Sequence, residues 1–125
     1  DIKCANLYIA NDFSIKFANF TLSTKAYALE KKRYYFVKSA HYVAPEVVKS
    51  RHNQYDNPKS DIWSLGITCI EMAEKYPPLN TLNPDVVISE INREGFKPNL
   101  KNPEKWSISF QDFIQKCLNR NPDFR

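Results

Sequence analysis

Apolar positions recur along the chain with two different periods. Residues 7–9 and 15–17 are short apolar segments on either side of a polar stretch that contains Asn11 and Asp12. This arrangement predicts a β-hairpin, because short apolar strands pair readily across a polar turn. After residue 44 the regular apolar spacing is that of helices. The pattern therefore predicts an α+β fold that is mainly helical, with a short hairpin near the N-terminus.

The strongest predicted helix covers residues 61–75, and Ser60 is a suitable N-cap for it. Its apolar side chains cover most of the circumference: Ile62, Trp63, Leu65, Ile67, Cys69, Ile70, Met72 and Ala73. A helix that is apolar on nearly every side is typical of a buried central element. We therefore expect the other helices to pack around it.

Two later segments also have helical spacing. Asn83, followed by a proline, begins a helix that Gly95 ends, and either Ser107 or Ser109 caps a last helix. The apolar positions are Val86, Val87 and Ile91 in the first segment, and Phe110, Phe113, Ile114, Cys117 and Leu118 in the second. Earlier in the chain, Pro45 suits the first turn of a short helix. Residues 21–39 have no regular pattern, which predicts a long loop.

Composition narrows the possible functions. Hydrophobic residues make up 42% and aromatic residues 14% of the 125 residues, which is enough for a packed core. The three cysteines form no CxxC pair, so we expect reduced thiols in a cytoplasmic protein rather than a zinc site. No apolar run approaches the ~20 residues of a membrane span, so we expect no membrane association.

The net charge of +4 is a mild excess of basic residues. The basic run 31–33 is short, whereas nucleic-acid binding needs a wider basic patch with aromatic residues in it. We therefore expect no nucleic-acid partner, and a basic nucleic-acid-binding module is kept only as a distant alternative.

The first six residues contain a set of groups that suits phosphoryl transfer. Asp1 can accept a hydroxyl proton, Lys3 can neutralise phosphate charge and Asn6 can hold a metal ion. On its own, a D-x-K-x-x-N pattern also fits an ordinary polar loop before a hairpin. Four further motifs follow it in order along the chain: Asn19-Phe20-Thr21, Ala44-Pro45-Glu46, Asp61-Ile62-Trp63-Ser64-Leu65-Gly66 and Arg125 after Asn121-Pro122.

Together these five features resemble the C-terminal lobe of a protein kinase. The Lys3 form of the loop and the stretch 60–74 are similar to Ste20-type Ser/Thr kinases, and 102–107 with 116–118 resemble the sterile-20-like (Hippo-type) branch. The resemblance implies a protein-kinase-like fold in which residues 1–125 are a partial kinase domain, from the catalytic loop to the end of the C-lobe. The N-lobe is expected to be absent from the chain.

The resemblance also implies residue roles. Asp1 would be the catalytic base, Lys3 the phosphate-contacting lysine, and Asn6 and Asn19 the metal-site residues. Tyr8 would lie under the adenine ring. Its side chain would either fill the space for the base or stack on it. The family uses ATP and Mg²⁺ and acts on protein substrates.

Other positions would be structural or regulatory. Glu46 and Arg125 would form a buried ion pair, Asp61 would brace the catalytic-loop backbone, and Phe20 would have a structural role. Tyr35 and Ser39 would belong to the activation segment. Tyr35 lies where Ste20-type kinases carry a regulatory threonine, so that switch is expected to be missing.

The chain departs from the family at the metal site. Asn19 replaces the aspartate that holds Mg²⁺, and Thr21 replaces the following glycine. We therefore expect weak or no binding of ATP and Mg²⁺ and a dead or impaired kinase that acts as a protein-interaction surface, as pseudokinases do. The alternative is an excerpt of a weakly active Ser/Thr kinase.

Overall fold

The computed structural model describes residues 1–23, 39–49 and 58–125. The predictions for Tyr35 and for the basic run 31–33 lie outside the described residues. The described part contains a two-stranded hairpin followed by four α-helices, with short 3₁₀ turns interspersed along the chain. The predicted fold class, a mainly helical C-lobe-like fold with a short N-terminal hairpin, is confirmed.

The hairpin consists of β1, Leu7–Ile9, and β2, Ile15–Phe17. The strands are antiparallel with Tyr8 opposite Lys16, and the predicted bounds are confirmed. The turn closes through hydrogen bonds from the backbone N–H and the hydroxyl of Ser14 to Asp12 Oδ1, at 3.0 and 2.6 Å. The polar residues between the two apolar segments thus fix the register of the pair.

Helix α1 is the short segment Pro45–Lys49, and α2, Lys59–Glu74, is the long central helix. The prediction that Ser60 caps α2 is wrong, because the helix begins at Lys59 and its N-cap is Pro58. Pro58 already has helical dihedral angles (φ −53°, ψ −19°), which its ring favours, so the first turn starts before the serine.

The core is built around one side of α2. Its most deeply buried side chains are Trp63, Ile67 and Ile70, each at most 2% exposed. Against them pack buried residues from the rest of the described chain: Ala44, Leu100, Ile114 and Leu118. Met72, by contrast, is 58% exposed, so the prediction of burial on nearly every side is wrong for that position.

Helices α3, Pro84–Asn92, and α4, Ile108–Cys117, flank this core. Of the two proposed caps for α4, Ser107 is the one used, and its Oγ accepts a hydrogen bond from the Phe110 N–H at 3.2 Å. Helix α3 has the predicted N-cap, Asn83, and ends before Gly95, which adopts φ +84°. In α3, Val87 and Ile91 are buried and form a second small core with Ala40.

Gly66 allows α2 and α4 to approach closely. A Cβ atom at this position would lie 2.8 Å from Cys117 Cβ and 2.8 Å from Leu118 Cγ. The Cys117 Cβ atom is fixed to the backbone of α4 and cannot rotate away. The glycine is therefore required by packing rather than by backbone conformation.

We predict that Gly66→Ala destabilises the protein by about 1–2 kcal/mol. Alanine is a better helix former than glycine by ~1 kcal/mol, but overpacking a core costs ~1–3 kcal/mol. Because the new methyl group would overlap two side chains, the cost of overpacking should exceed the gain in helix propensity. Urea unfolding measures the difference. The control is Ser109→Ala on the exposed side of α4, which should leave stability unchanged or slightly raised. A Gly66→Ala protein as stable as wild type would contradict the packing account.

Candidate active site

The hairpin brings the catalytic-loop residues and Asn19 together. The 3₁₀ turn Cys4–Asn6 leads directly into β1, and β2 ends two residues before Asn19. One backbone hydrogen bond continues the ladder beyond the strands, from Ala18 N–H to the Asn6 carbonyl at 3.0 Å. Because the strands are antiparallel, the start of β1 and the end of β2 lie side by side, and the side chains of residues 6 and 19 meet there.

The carboxylate of Asp1 accepts hydrogen bonds from three side chains. Lys3 Nζ lies 2.8 Å and Asn6 Nδ2 2.9 Å from its Oδ2, and the Ser39 hydroxyl donates to Oδ1 at 2.6 Å. The side chains of Asp1 and Lys3 are only 7% and 15% exposed. An ionised carboxylate has enough lone pairs to accept all three bonds. The structure thus brings together four of the predicted site residues around one negative charge.

Lys3 joins the predicted catalytic loop to Ser39 in the predicted activation segment. Its Nζ also donates to Ser39 Oγ at 2.8 Å, so the ammonium contacts both the carboxylate and the hydroxyl. Partial burial lowers the pKa of Lys3, and the negative charge of Glu71 partly opposes this change. A hydroxyl group therefore lies beside a carboxylate and a lysine, the arrangement that a phosphotransferase needs at a substrate hydroxyl.

Asn6 and Asn19 are linked by their amide groups. Asn6 is buried, and its Nδ2 donates both to Asp1 Oδ2 and, at 2.7 Å, to the Asp1 carbonyl. Asn19 Nδ2 donates to Asn6 Oδ1 at 3.1 Å, and the Thr21 hydroxyl donates to Asn19 Oδ1 at 2.5 Å. Each amide oxygen in the pair thus already accepts a hydrogen bond.

One side of α2 braces this site, and sequence reasoning missed it. Glu71 Oε2 accepts the Cys4 backbone N–H at 3.2 Å, and Ser64 Oγ donates to the Tyr42 carbonyl at 2.8 Å. Thr68, between them on the helix, has its hydroxyl 3.4 Å from the Ile2 carbonyl. A signal was present, because these three polar residues recur at i, i+4 and i+7 within the otherwise apolar stretch 62–73.

Burial and the Glu71 carboxylate control two further acidic groups. Desolvation, followed by hydrogen bonding to Glu71 and its negative charge, raises the pKa of the Cys4 thiol to about 12. The same causes raise the pKa of Tyr42. Both groups therefore remain protonated at neutral pH, and the Cys4 thiol donates to the Thr68 carbonyl at 3.9 Å. This bond and the one from the Cys4 N–H to Glu71 tie residues 1–6 to α2.

Three other predicted site residues are more exposed than those around Asp1. Asp61 is exposed and lines, together with Asp1 and Ser39, a cleft of about 120 Å³. The bracing contacts described above come from Thr68 and Glu71, so the role predicted for Asp61 stays a prediction. Tyr8 and Phe20 are 59% and 66% exposed, and their predicted roles also stay predictions.

Glu46 and Arg125 form the ion pair that the sequence led us to expect. Arg125 Nη2 lies 2.5 Å from Glu46 Oε1, and the two side chains are 0% and 9% exposed. The guanidinium also lies over the ring of Trp63, 5.5 Å from its centroid. Within the described residues, Glu46 Oε2 and Arg125 Nε and Nη1 have no hydrogen-bond partner. The pair is thus a buried charge contact whose partners depend on each other.

The family model described as protein kinase domain matches residues 1–125. The chain belongs to the protein kinase family. It is 43% identical over 122 residues to Serine/threonine-protein kinase dst1 of Dictyostelium discoideum, which covers 98% of this chain and 16% of that relative. It is 42% identical over 126 residues to Serine/threonine-protein kinase 4 homolog A of the same organism, which covers 100% of this chain and 27% of that relative.

A third kinase gives a similar match. Serine/threonine-protein kinase 10 of Danio rerio is 41% identical over 128 residues, covering 100% of the chain and 13% of that relative. The resemblance to Ste20-group Ser/Thr kinases is confirmed. The chain spans between about one eighth and about one quarter of the length of these three relatives. In the described part of this kinase chain, no helix is long and apolar enough to span a membrane.

We predict that Glu46→Gln destabilises the protein by roughly 3–5 kcal/mol, because the fully buried Arg125 guanidinium loses its counter-charge. Chemical denaturation measures the loss. The matched control is Asp112→Asn, which breaks the Lys116–Asp112 pair on the surface of α4, where the side chains are 74% and 55% exposed. That change should cost less than ~0.5 kcal/mol. Equal losses of stability in the two variants would contradict the conclusion that burial makes the Glu46–Arg125 pair strongly stabilising.

The raised pKa of Cys4 predicts a loss of stability in alkaline solution. An unfolded thiol releases its proton near the ordinary value of 9.0, whereas the folded thiol keeps it to about pH 12. Between these values the unfolded state binds fewer protons, so the free energy of unfolding falls as pH rises. Cys69, Cys117 and Tyr42 have raised pKa values and act in the same direction, whereas the lowered pKa of Lys3 acts in the opposite one.

In a variant with Cys4 replaced by alanine, the free energy of unfolding should fall less steeply as pH rises. Urea unfolding at a series of pH values from 7 to 10 compares the variant with wild type. Below about pH 8 the thiol is protonated in both states, so the difference in stability between the two proteins should be constant there. Parallel curves over the whole range would show that Cys4 makes no contribution.

Proposed function

We propose that this chain is part of a Ste20-type Ser/Thr protein kinase domain in which transfer of the ATP γ-phosphoryl group is strongly impaired. In this proposal the domain acts in the cytoplasm mainly as a protein-interaction surface. The observation that carries the proposal is the hydrogen bond from Asn19 Nδ2 to Asn6 Oδ1.

Magnesium is the ion that the family uses, and the residues present fit it poorly. Mg²⁺ favours charged oxygen ligands, and both residues at this site offer only neutral amide oxygens. Those oxygens already accept hydrogen bonds from Asn19 and Thr21. One lone pair of each oxygen is thus occupied, and a cation bound to the other would gain no charged ligand from residue 19.

The missing charge alone is large enough to matter. A pair of unit charges ~4 Å apart is worth about 4 kcal/mol at an effective dielectric constant of 20. Losing most of that energy from a transition state corresponds to a rate about 10²–10³-fold lower. The proposal therefore predicts severe impairment rather than a modest change in rate.

Two other positions support weak nucleotide binding. Thr21 stands where the family carries glycine, so the backbone after Phe20 has less conformational freedom. Tyr8 projects from β1 and is 59% exposed, at the position expected under the adenine ring. Its ring would either fill that space or stack on the base.

The hairpin supports a role in protein contacts. Ile9 and Ile15 face the same side of the pair and are 76% and 66% exposed, and Phe13 in the turn is 87% exposed. Apolar side chains grouped on a surface commonly mark contacts between protein segments. The partner class in this proposal is therefore protein, as it is for kinase substrates.

A second candidate function is weak Ser/Thr kinase activity. It is favoured by the contacts around Asp1, where Lys3 and a hydroxyl group lie within hydrogen-bond distance of the carboxylate. In that case Asp1 would take the proton of a substrate hydroxyl and Lys3 would neutralise charge on the phosphoryl group.

The proposed impairment predicts that ATP with MgCl₂ does not stabilise the full-length protein. A ligand that binds only the folded state raises Tm as its concentration exceeds Kd, so weak binding leaves Tm unchanged at millimolar nucleotide. Differential scanning fluorimetry with and without ATP and Mg²⁺ measures this. A clear concentration-dependent rise in Tm would refute the proposed loss of nucleotide binding.

Radiolabel transfer from [γ-³²P]ATP to a generic protein substrate separates the two candidates. Wild type and Asp1→Ala should both give background signal if the domain is inactive. A wild-type signal that Asp1→Ala abolishes would establish the weak-kinase alternative and exclude the impaired one. Asp112→Ala, which removes an exposed carboxylate on α4, is the control for general effects of losing an acidic residue.

A further inference from the structure

The Asn6–Asn19 contact links the two segments that flank the hairpin, 13 positions apart in sequence. Asn6 ends the catalytic loop and Asn19 follows β2, and their side chains are joined by one N–H···O bond of 3.1 Å. Asn6 is 4% exposed, whereas Asn19 is exposed, so the bond joins a buried amide to one at the surface. Loss of the bond would leave the side-chain oxygen of the buried Asn6 without this donor, which costs more than losing a bond between two exposed groups.

Both polar side-chain atoms of Asn6 and both of Asn19 take part in hydrogen bonds. Asn6 Nδ2 donates to the side chain and the carbonyl of Asp1, and Thr21 holds the oxygen of Asn19. Asn19 itself has φ +59° and ψ +61°, a left-handed conformation that asparagine tolerates better than most residues. The bonds to Asn6 and Thr21 hold it there.

A carboxylate at position 19 could not make this link. Aspartate has the same shape but no N–H, so an oxygen would face Asn6 Oδ1 at about the same distance with no proton between them. Rotating the Asn6 amide would supply a proton but would break both of its bonds to Asp1. The two oxygens would then have no direct bond, and a cation between them would restore an attractive link.

We propose that the Asn6–Asn19 amide bridge replaces a divalent cation as the link between the catalytic loop and the end of β2. In this chain the link forms without any ion, and aspartate at position 19 would make it depend on one. The inference rests on the proposed function, because it takes the site to be closed to Mg²⁺, and it adds that the closed site is a stabilising structural element.

The test compares the thermal unfolding of the full-length protein in EDTA and in millimolar MgCl₂, without nucleotide. Wild type should have the same Tm in both buffers. Asn19→Asp should unfold at a Tm lower by roughly 3 °C or more in EDTA, because the buried Asn6 oxygen loses its donor and two oxygens are set against each other. In MgCl₂ the Tm of this variant should return most of the way to that of wild type.

The matched control is Asn11→Asp, the same exchange of amide for carboxylate in the exposed hairpin turn. It should show neither the loss in EDTA nor the recovery with Mg²⁺, which excludes a general effect of the added charge. An Asn19→Asp protein that matches wild type in EDTA would overturn the proposal, and so would a loss in EDTA that Mg²⁺ does not change.

A second variant decides the matter if Asn19→Asp fails to fold in either buffer. Asn19→Gly keeps the left-handed backbone and deletes the amide, so its Tm should fall in both buffers and show no response to Mg²⁺. A Tm equal to that of wild type would refute the bridge. Phosphoryl transfer by wild type would instead refute the proposed function, and it is measured independently of these Tm comparisons.

Discussion

Helix α2 has to satisfy two requirements at once, and the rest of the structure depends on how it does so. One side carries Trp63, Ile67 and Ile70, which must be removed from water and which recruit α4 and the chain around Ala44 and Leu100. Another side carries three polar residues, Ser64, Thr68 and Glu71, which bond to the catalytic loop and to the end of the activation segment. The packing of the core and the position of the site are therefore fixed by the same rigid element.

The hairpin supplies the second constraint on the site. Its register places the end of β2 beside the start of β1, so any residue at position 19 must lie next to Asn6. What the two residues do there depends on one functional group. An amide can donate to its neighbour, whereas an ionised carboxylate can only accept, so only the amide makes a direct hydrogen bond to Asn6 Oδ1.

Local chemistry explains which predictions from the sequence succeeded. The hairpin bounds and the Ser107 cap of α4 depend on a few neighbouring residues, and the sequence pattern was sufficient for both. The start of α2 was wrong because serine is only one of the residues that can precede a helix, and here Pro58 begins the turn earlier. Exposure of Met72 could not be predicted, since helical period alone does not say which sides have partners.

The same distinction holds within the site. The closeness of Asp1, Lys3 and Asn6 follows from a six-residue loop, and their chemistry could be inferred from residue type. The hydrogen bond from Asn19 to Asn6 could not, because the orientation of an amide is set by all its partners in the folded protein. Glu71 was missed for a related reason: its bond to Cys4 joins residues 67 positions apart, and no local pattern encodes that contact.

The ion pair between Glu46 and Arg125 has a consequence for the order of folding. It joins residues separated by 79 positions, so the chain entropy lost on closing this long loop opposes the pair until intervening segments have docked. Contacts that form late contribute little to the folding barrier and mostly slow the reverse reaction. We therefore expect Arg125 to slow unfolding more than it speeds folding, which lengthens the lifetime of the native state.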